Sequence, residues 1–561
     1  MPTSVIVPDE KQNNGEGKDS KNLFFTGDNL EVLRHLQANY TGKIDVIYID
    51  PPYNTGNGDF VYPDNFDYTD SQLKEMFGLD ADEVERMKSI QGSSSHSAWL
   101  TFMYPRLVLA KKLLASVGVV LVSIDDNEQS NLYQLLSDIF GESEIDTMIW
   151  NKESEGSSGS LKAVNRFKGS HEYVLIAYKF KAETKFNQIH EALKGREKEL
   201  VTANLAVNQS VENKNHPNFF TITNPSGDSF TRQWKWNKEK IDALINENLI
   251  YWGSDGHKQP RLIIPLDERR TIYLNSILNY GSTTQGRVDF EALFGNALFS
   301  YPKPVVLLKK LLEAVTSKES IILDFFAGSS TTADAVMQLN AEDGGNRKFI
   351  MVQLPEKTYT TNKDGKEVPT KGGKAAYDAG FRSIDEISRE RIRRAAVKIK
   401  EEKGSDLPEN FDGSFKHYRV VKPNTQTLKE IDDFDPNAID LFNNMLDNFS
   451  SEKLNLPGNT TGEETVLTTW LAADGYSFDA DIKELKINDY IAHIVENNRL
   501  YLIKDGWTAE NTKTLINLLG TNQLAIQSIV LFGYSFNIAE LRELENALKQ
   551  LDANVNLIKR Y

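Results

Sequence analysis

The residues Asp50-Pro51-Pro52-Tyr53 combine groups that can activate an amino group. They follow an apolar, β-branched run, residues 44 to 50, which predicts a buried strand that ends at the two prolines. The Asp50 carboxylate and the Pro51 carbonyl can each accept one hydrogen of an exocyclic amino group while Tyr53 stacks on the base. The nitrogen lone pair would then be free for nucleophilic attack. An alternative interpretation is a plain turn that terminates the strand.

A second turn, in residues 322 to 332, reads ILDFFAGSSTT and also joins a predicted strand to a predicted helix. Small residues let the backbone approach a ligand closely, and the free amides of a helix N-terminus attract a carboxylate. A nucleotide-like cofactor with an amino-acid tail would fit such a turn. A strand-to-helix turn with a Ser or Thr cap explains the same letters. A third segment, Thr26-Gly27-Asp28, precedes a helical pattern and is by itself an ordinary helix start.

The elements that must position these turns have α/β patterning, with apolar runs that alternate between strand and helix periods. Between residues 145 and 280 the sequence becomes polar and rich in Asn, which indicates an insertion. We therefore divide the chain into a flexible leader, a first core segment, an insertion, a second core segment and a C-terminal α+β module: residues 1–21, 22–144, 145–280, 281–403 and 404–561.

Composition excludes several classes of protein. The 561 residues include no Cys, which removes disulfide scaffolds, thiolate metal sites and cysteine nucleophiles, and we expect no metal site. The net charge is -16, and residues 404–561 hold 14 Lys and Arg against 24 Asp and Glu, so the rest of the chain is close to balanced. The sequence shows no signal peptide and no long apolar run, and we expect a cytoplasmic protein with no membrane partner.

The segments TGDNLEVL, IDPPYNTG, YPKP and ILDFFAGSSTTADAVMQLN, in this order, resemble the beta group of amino-group DNA methyltransferases. The chain is most similar to the modification (Mod) subunits of type III restriction-modification systems. The resemblance implies a Rossmann-like core that depends on S-adenosylmethionine, with catalytic and cofactor halves in the two core segments and a target-recognition region in the insertion. It also implies methylation of N6 of a flipped adenine in double-stranded DNA.

The resemblance assigns roles to individual residues. The target adenine would lie against Asp50, Pro51, Pro52 and Tyr53. The cofactor would be bound by Asp28, Lys303, Asp324, Phe326, Ala327, Gly328, Ser329 and Glu356, of which Lys303 lies in the segment expected to close over it. Phe325 replaces a usual Pro, which we expect to be tolerated. Ser330 replaces a usual Gly, and we expect it to weaken cofactor binding without abolishing it.

DNA recognition is expected in the insertion, where basic and aromatic side chains interleave. We add Asn54 from the catalytic turn, so the predicted DNA-binding residues are Asn54, Lys162, Arg166, Lys168, Arg232, Trp234, Lys235 and Trp236. An alternative for the insertion is a solvated loop face with core tryptophans. The arginines between residues 389 and 394 favour a salt-bridged helix over a phosphate-binding surface.

The expected partners are DNA, a second copy of the chain and a separate restriction (Res) subunit that supplies ATP hydrolysis, because the sequence has no GxxxxGK[ST] segment. The C-terminal module would serve dimerisation or docking of this partner. Alternatives are an orphan DNA methyltransferase without a nuclease partner, cytosine N4 as the target, a non-catalytic DNA-binding subunit, and a methyltransferase for RNA or small molecules.

Overall fold

The computed structural model describes residues 4–54, 74, 79–90, 95–153, 169–190, 200–264, 271–423, 445–551 and 555–561. The chain divides into two compact units, of which the first holds Met1–Lys185 and Asn275–Tyr561 and the second Phe186–Leu274. No helix within the described ranges combines the length and the apolar character that a bilayer-spanning segment requires.

A ten-stranded sheet, counted over the described residues, organises the first unit in the order β1-β19-β2-β16-β15-β3-β4-β6-β5-β14. Its strands are β1 Val5–Pro8, β2 Leu23–Thr26, β3 Ile44–Ile49, β4 Leu114–Ile124, β5 Ile145–Asn151, β6 His171–Tyr178, β14 Ile277–Leu278, β15 Ile321–Asp324, β16 Lys348–Gln353 and β19 Lys416–Val421. The block from β19 to β4 is parallel. Its central strands are apolar and buried, as expected for a parallel sheet with both faces covered.

Helices connect and cover these strands. They are α1 Glu10–Asn14, α2 Asn29–Tyr40, α3 Ala81–Ile90, α4 Ser95–Leu113, α5 Gln129–Phe140, α7 Thr283–Phe294, α8 Val305–Val315, α9 Thr331–Asp343, α10 Lys374–Asp378 and α11 Ile384–Lys403. The hairpin of β17 Tyr359–Thr361 and β18 Glu367–Pro369 follows β16. The apolar faces of α2, α4 and α5 form one continuous core with strands β2, β3 and β4.

The second unit has a small core around Trp234, Ile241 and Leu205. Its described elements are three small groups of strands and one helix, α6 Lys238–Asn246. The strands are a hairpin of β9 Phe219–Thr223 and β10 Ser229–Gln233, a three-stranded sheet of β11 Ile250–Tyr251, β12 Arg261–Ile263 and β8 Thr202–Asn204, and a pair of β7 Ile189–His190 and β13 Thr271–Ile272.

The C-terminal part of the first unit contains helix α12 Gly462–Ala473 and a five-stranded sheet flanked by α13 Ala509–Gly520 and α14 Ile538–Lys549. The strands of that sheet are β20 Ile482–Ile487, β21 Tyr490–Val495, β22 Arg499–Leu502, β23 Ser528–Phe532 and β24 Asn556–Arg560. This mixed composition agrees with the α+β patterning of the sequence.

The flexible leader predicted for residues 1–21 is corrected by the structure. Strand β1 pairs antiparallel with β19, and Val5, Ile6 and Val7 are fully buried. Ile6 joins the core of the large sheet, whereas Val5 and Val7 pack with Trp470 and other apolar side chains of the C-terminal part. The short apolar run in an otherwise polar leader is therefore enough to anchor it.

Two predicted domain limits also differ from the structure. Strands β5, β6 and β14 belong to the large sheet, since β6 pairs with β4, β5 with β6 and β14 with β5, and Ile145, Leu175 and Ala177 pack in its core. The compact second unit, Phe186–Leu274, is therefore shorter than the predicted insertion of residues 145–280. Strand β19 belongs to the large sheet as well, although we placed it in the C-terminal module that begins at residue 404.

Candidate active site

The predicted chemical residues meet at one edge of the large sheet. Strands β2, β16, β15 and β3 are consecutive parallel neighbours. Asp28 and Glu356 lie just beyond the carboxyl ends of β2 and β16, Asp324 is the last residue of β15, and Asp50 follows β3 directly. Ligands in open α/β sheets bind at this edge, so the fold brings the two predicted turns together.

The backbone of the catalytic turn, residues 50–53, is fixed by its neighbours. The indole Nε1 of buried Trp99 donates to the carbonyl oxygen of Pro52 at 2.7 Å. Asn54 has a positive φ of 54°, and its side-chain amide donates to Glu128 at 2.7 Å. The structure thus shows Asn54, a predicted DNA-binding residue, in a hydrogen bond inside the protein.

A cluster of charged side chains surrounds Asp50 and Tyr53 of the catalytic turn. The Lys303 ammonium donates to both carboxylate oxygens of Asp50, at 3.0 and 2.9 Å, and to the Tyr53 hydroxyl at 2.7 Å. It also lies 3.3 Å from Glu172, a residue of β6. The Tyr53 hydroxyl in turn donates to Glu172 at 3.1 Å. Lys303, which we placed in the segment expected to close over the cofactor, contacts the carboxylate of Asp50.

Electrostatics fix the protonation states in this cluster. Burial by itself would lower the pKa of Lys303, but the charges of Asp50 and Glu172 outweigh it and raise that pKa. Burial by itself would raise the pKa of Glu172, but Lys303 and Lys152 outweigh it and lower that pKa. Burial, together with the nearby carboxylates, raises the pKa of Tyr53 well above its usual value. These shifts keep Lys303 as an ammonium, Glu172 as a carboxylate and Tyr53 as a neutral phenol.

The second turn places a buried carboxyl group at its start. Asp324 accepts hydrogen bonds from the Phe326 amide at 3.0 Å and from the Thr332 hydroxyl at 2.6 Å. Burial is the main cause that raises the pKa of Asp324 to about 7. No ion pair to Asp324 occurs among the residues that the structure describes. A buried carboxyl group of this kind is suited to a positively charged ligand.

The small-residue turn is held from behind by helix α11. The guanidinium of Arg391, which is fully buried, donates to the hydroxyl groups of Ser329 at 3.0 Å and Thr331 at 2.8 Å, and to Asp334 at 3.1 Å. The Ser388 hydroxyl donates to the Gly328 carbonyl oxygen. These contacts fix the backbone of the turn relative to α9.

Gly328 and Ser330 both have left-handed backbone angles. Gly328 has a φ of 53°, and its amide donates to the side chain of Gln353 at 2.7 Å. Ser330 has a φ of 61°, is fully buried, and its hydroxyl has no hydrogen-bond partner among the described residues. A left-handed angle costs a non-glycine residue roughly 1 kcal/mol, which explains why Gly would suit this position.

The third segment is tied to the second by buried polar contacts. Asp28 caps helix α2, accepting from the Leu30 amide at 2.8 Å, and lies 3.3 Å from Arg106. Asn29 donates to the Phe325 carbonyl oxygen at 2.8 Å and accepts from Arg106 at 2.6 Å. Asp28 is one-third exposed and Arg106 fully buried, so the carboxylate remains available to a ligand.

These residues fit S-adenosylmethionine. The buried Asp324 suits its cationic end, the turn at Gly328 admits close approach of a backbone, and the N-terminal amides of α9 suit a carboxylate. The side chains of Phe326, Ala327 and Ser329 line the same turn and are nearly buried. Glu356 is exposed beyond β16, on the side where Asp28 follows β2.

The predicted DNA-binding residues have different environments. Lys162, Arg166 and Lys168 lie outside the described residues. Trp234 is buried at 1% exposure and donates to the Phe220 carbonyl oxygen, so it is a core side chain and not a stacking surface. Arg232 is bonded to Glu212 at 3.1 Å within the same unit, whereas Lys235 and Trp236 are exposed.

Several important residues were missed by sequence reasoning. They are Glu172, Trp99, Asn29, Arg106, Gln353 and Arg391. Glu172 lies in an otherwise ordinary strand. Arg106 lies in the apolar middle of its helix, where a charged residue between apolar neighbours was the available signal.

Comparison with known proteins gives two family matches. A profile described as DNA methylase matches residues 44–364, and a profile described as the type III R-M EcoP15I C-terminal domain matches residues 461–557. Together they cover both predicted turns and most of the C-terminal part.

Curated relatives match almost the entire chain. The type III restriction-modification enzyme StyLTI Mod subunit of Salmonella typhimurium is 42% identical over 100% of this chain and 87% of the relative. The EcoPI Mod subunit of Escherichia phage P1 is 32% identical over 98% of this chain and 86% of the relative. The EcoP15I Mod subunit of Escherichia coli is 30% identical over 98% and 86%.

Proposed function

The chain belongs to the Mod subunits of type III restriction-modification enzymes and is a DNA methyltransferase, and we propose that it transfers a methyl group to N6 of adenine in double-stranded DNA. The methyl donor is S-adenosylmethionine. One observation carries this proposal: Asp50 and Asp324 end adjacent parallel strands, so the catalytic and cofactor turns share one edge of the sheet.

The target base must leave the duplex to reach the catalytic turn, at a cost of a few kcal/mol. Tyr53 offers a stacking surface for it, worth on the order of 1 to 3 kcal/mol. Its ring is held at the hydroxyl end by Glu172. The turn is therefore ordered before the base arrives, which limits the entropy lost on binding.

Asp50 and the Pro51 carbonyl accept the two hydrogens of the adenine amino group and leave its lone pair directed at the donor. When bound, S-adenosylmethionine supplies an electrophilic methyl group on a sulfonium. With that donor bound, Asp50 would accept the proton that the nitrogen releases as the N–C bond forms and the S–C bond breaks. No covalent bond to the protein is needed, which agrees with a chain that has no Cys.

Sequence recognition belongs to the second unit, together with the neighbouring polar residues of the predicted insertion. The exposed pair Lys235 and Trp236 supports this assignment, because cationic and aromatic side chains contact phosphates and bases. We predict that exchanging this unit for that of another subunit changes the methylated sequence.

The C-terminal part supports a type III enzyme over an orphan methyltransferase. Residues 461–557 match the C-terminal domain of EcoP15I, which an enzyme without a partner would not need. We therefore assign this part to docking of a Res subunit or to formation of a homodimer. We infer that the protein acts on DNA in the cytoplasm.

The experiment is long-read sequencing for modified bases in DNA from cells that express this chain alone, with the Asp50→Ala variant as control. We expect N6-methyladenine on one strand of a short asymmetric site, and none with the variant. Methylated cytosine, methylation on both strands of a palindrome, or an unchanged pattern in the variant would each contradict a part of the proposal.

A further inference from the structure

One of the two acceptors that the proposed reaction requires, the Asp50 carboxylate, is already bonded to Lys303. Its ammonium lies 3.0 and 2.9 Å from the two oxygens of Asp50. An ammonium and an adenine amino group are both N–H donors, so they compete for the same carboxylate. The ammonium forms the stronger bond because it is charged. Because the ammonium contacts both oxygens, we expect that a target amino group has to displace at least one of these bonds to reach its productive position on Asp50.

The structure also contains a second acceptor for the released ammonium. Glu172 lies 3.3 Å from Lys303, and its side chain is 12% exposed. Lys303 is 10% exposed, so its charge has little access to water and needs an acceptor within the pocket. A small shift of the ammonium from Asp50 toward Glu172 keeps it paired and leaves Asp50 available.

We propose that Lys303 controls access to Asp50 as a gate: it is bonded to Asp50 before DNA binds and transfers its hydrogen bonds to Glu172 when the target amino group enters. This inference rests on the proposed function, since it assumes that Asp50 receives the amino group. Lys303 and Glu172 are then positioning residues that control base entry, and a base without an amino group leaves the gate closed.

Lys152 supplies a matched control. Its ammonium also pairs with Glu172, at 3.3 Å, but its contacts in the structure do not include Asp50. If Glu172 mattered only as a buried charge that needs a cation, the two lysines would behave alike. If Lys303 is the gate, only Lys303 links Glu172 to the reaction.

The test is a double-mutant cycle. The substrate is an unmethylated duplex that contains the site at which the protein methylates DNA, and kcat/KM for methyl transfer is measured. Glu172→Gln removes the charge of the second acceptor and leaves only a weaker amide oxygen, so Lys303 should remain on Asp50, and we expect kcat/KM to fall about ten-fold or more. Adding Lys303→Met should remove this loss, and bring the double variant to within about three-fold of Lys303→Met alone. Adding Lys152→Met to Glu172→Gln should not restore kcat/KM.

The outcomes separate the gate from other roles. A double variant Lys303→Met/Glu172→Gln that is as slow as Glu172→Gln, or slower, overturns the gate. So does a Glu172→Gln variant whose affinity for S-adenosylmethionine falls, since the pair would then belong to cofactor binding. Thermal melting checks that each variant folds, and Lys303→Gln replaces Lys303→Met if that variant unfolds. Failure of the wild-type protein to methylate DNA would instead count against the proposed function.

Discussion

The small-residue turn after β15, which is the proposed cofactor turn, and the catalytic turn after β3 hold their functional groups by different means. The cofactor turn is supported from behind, where Arg391 and Ser388 of α11 bond its hydroxyl and carbonyl groups away from the ligand. The backbone of the catalytic turn is held by Trp99, but its Asp50 and Tyr53 side chains are bonded by Lys303, in the place where the substrate must bind. The first arrangement stays in place during the reaction, whereas the second must change when the base enters.

The comparison predicts that support of the cofactor turn is mainly a matter of folding stability. Arg391→Met leaves the Asp334 carboxylate buried without its cation, and we expect a loss of about 3 to 5 kcal/mol in the free energy of unfolding. Denaturant unfolding measures it. Arg393→Met, two residues along the same helix and one-third exposed, should cost about 1 kcal/mol or less. Equal losses in both variants would break the comparison.

A second prediction concerns the pH dependence that the buried Asp324 imparts. Its pKa is raised from 3.8 to about 7, so the folded state favours the protonated form. The contribution of Asp324 to the free energy of unfolding is fully present below pH 3.8 and is lost as the pH rises through about 7. We expect the free energy of unfolding of Asp324→Asn to rise relative to that of the wild type between pH 5 and pH 7, by up to about 1.4 kcal/mol per pH unit. Denaturant unfolding of both proteins at the two pH values measures this difference. A constant difference would contradict the assignment.

The smallest expected effect is at Ser330. Ser330→Gly removes the strain of a left-handed serine and an unpaired buried hydroxyl, but it adds entropy to the unfolded chain. We expect a net gain of about 1 kcal/mol in stability, seen as a higher melting temperature, and an affinity for S-adenosylmethionine at least as high as that of the wild type. A clear drop in affinity would show that the hydroxyl is itself a cofactor ligand.

The sequence was sufficient to predict both turns, because each motif directly follows an apolar strand. It also predicted a salt-bridged helix for the Arg389 region, and the pairs Arg389–Asp385 and Arg394–Glu390 confirm it. These features can be predicted from short stretches of sequence, since i,i+4 ion pairs and strand ends depend on residues only a few positions apart.

Contacts between distant segments could not be predicted in the same way. Lys303 and Tyr53 are separated by 250 positions, Tyr53 and Glu172 by 119, and Arg391 and Ser329 by 62. No periodicity links such residues, and their meeting depends on the strand order of the sheet. The mixed environment of Arg232 and Trp234 shows the related limit that composition does not distinguish a binding surface from a small core.

The most direct test of the account separates cofactor binding from methyl transfer in one purified variant. Asp50→Asn keeps the shape of the catalytic turn but removes the charge that orients the amino group. Calorimetry should give an affinity for S-adenosylmethionine within about two-fold of wild type, while single-turnover methylation falls by roughly 10³-fold, about 4 kcal/mol. Retained methyl transfer, or loss of cofactor binding together with transfer, would contradict the division of work between the two turns.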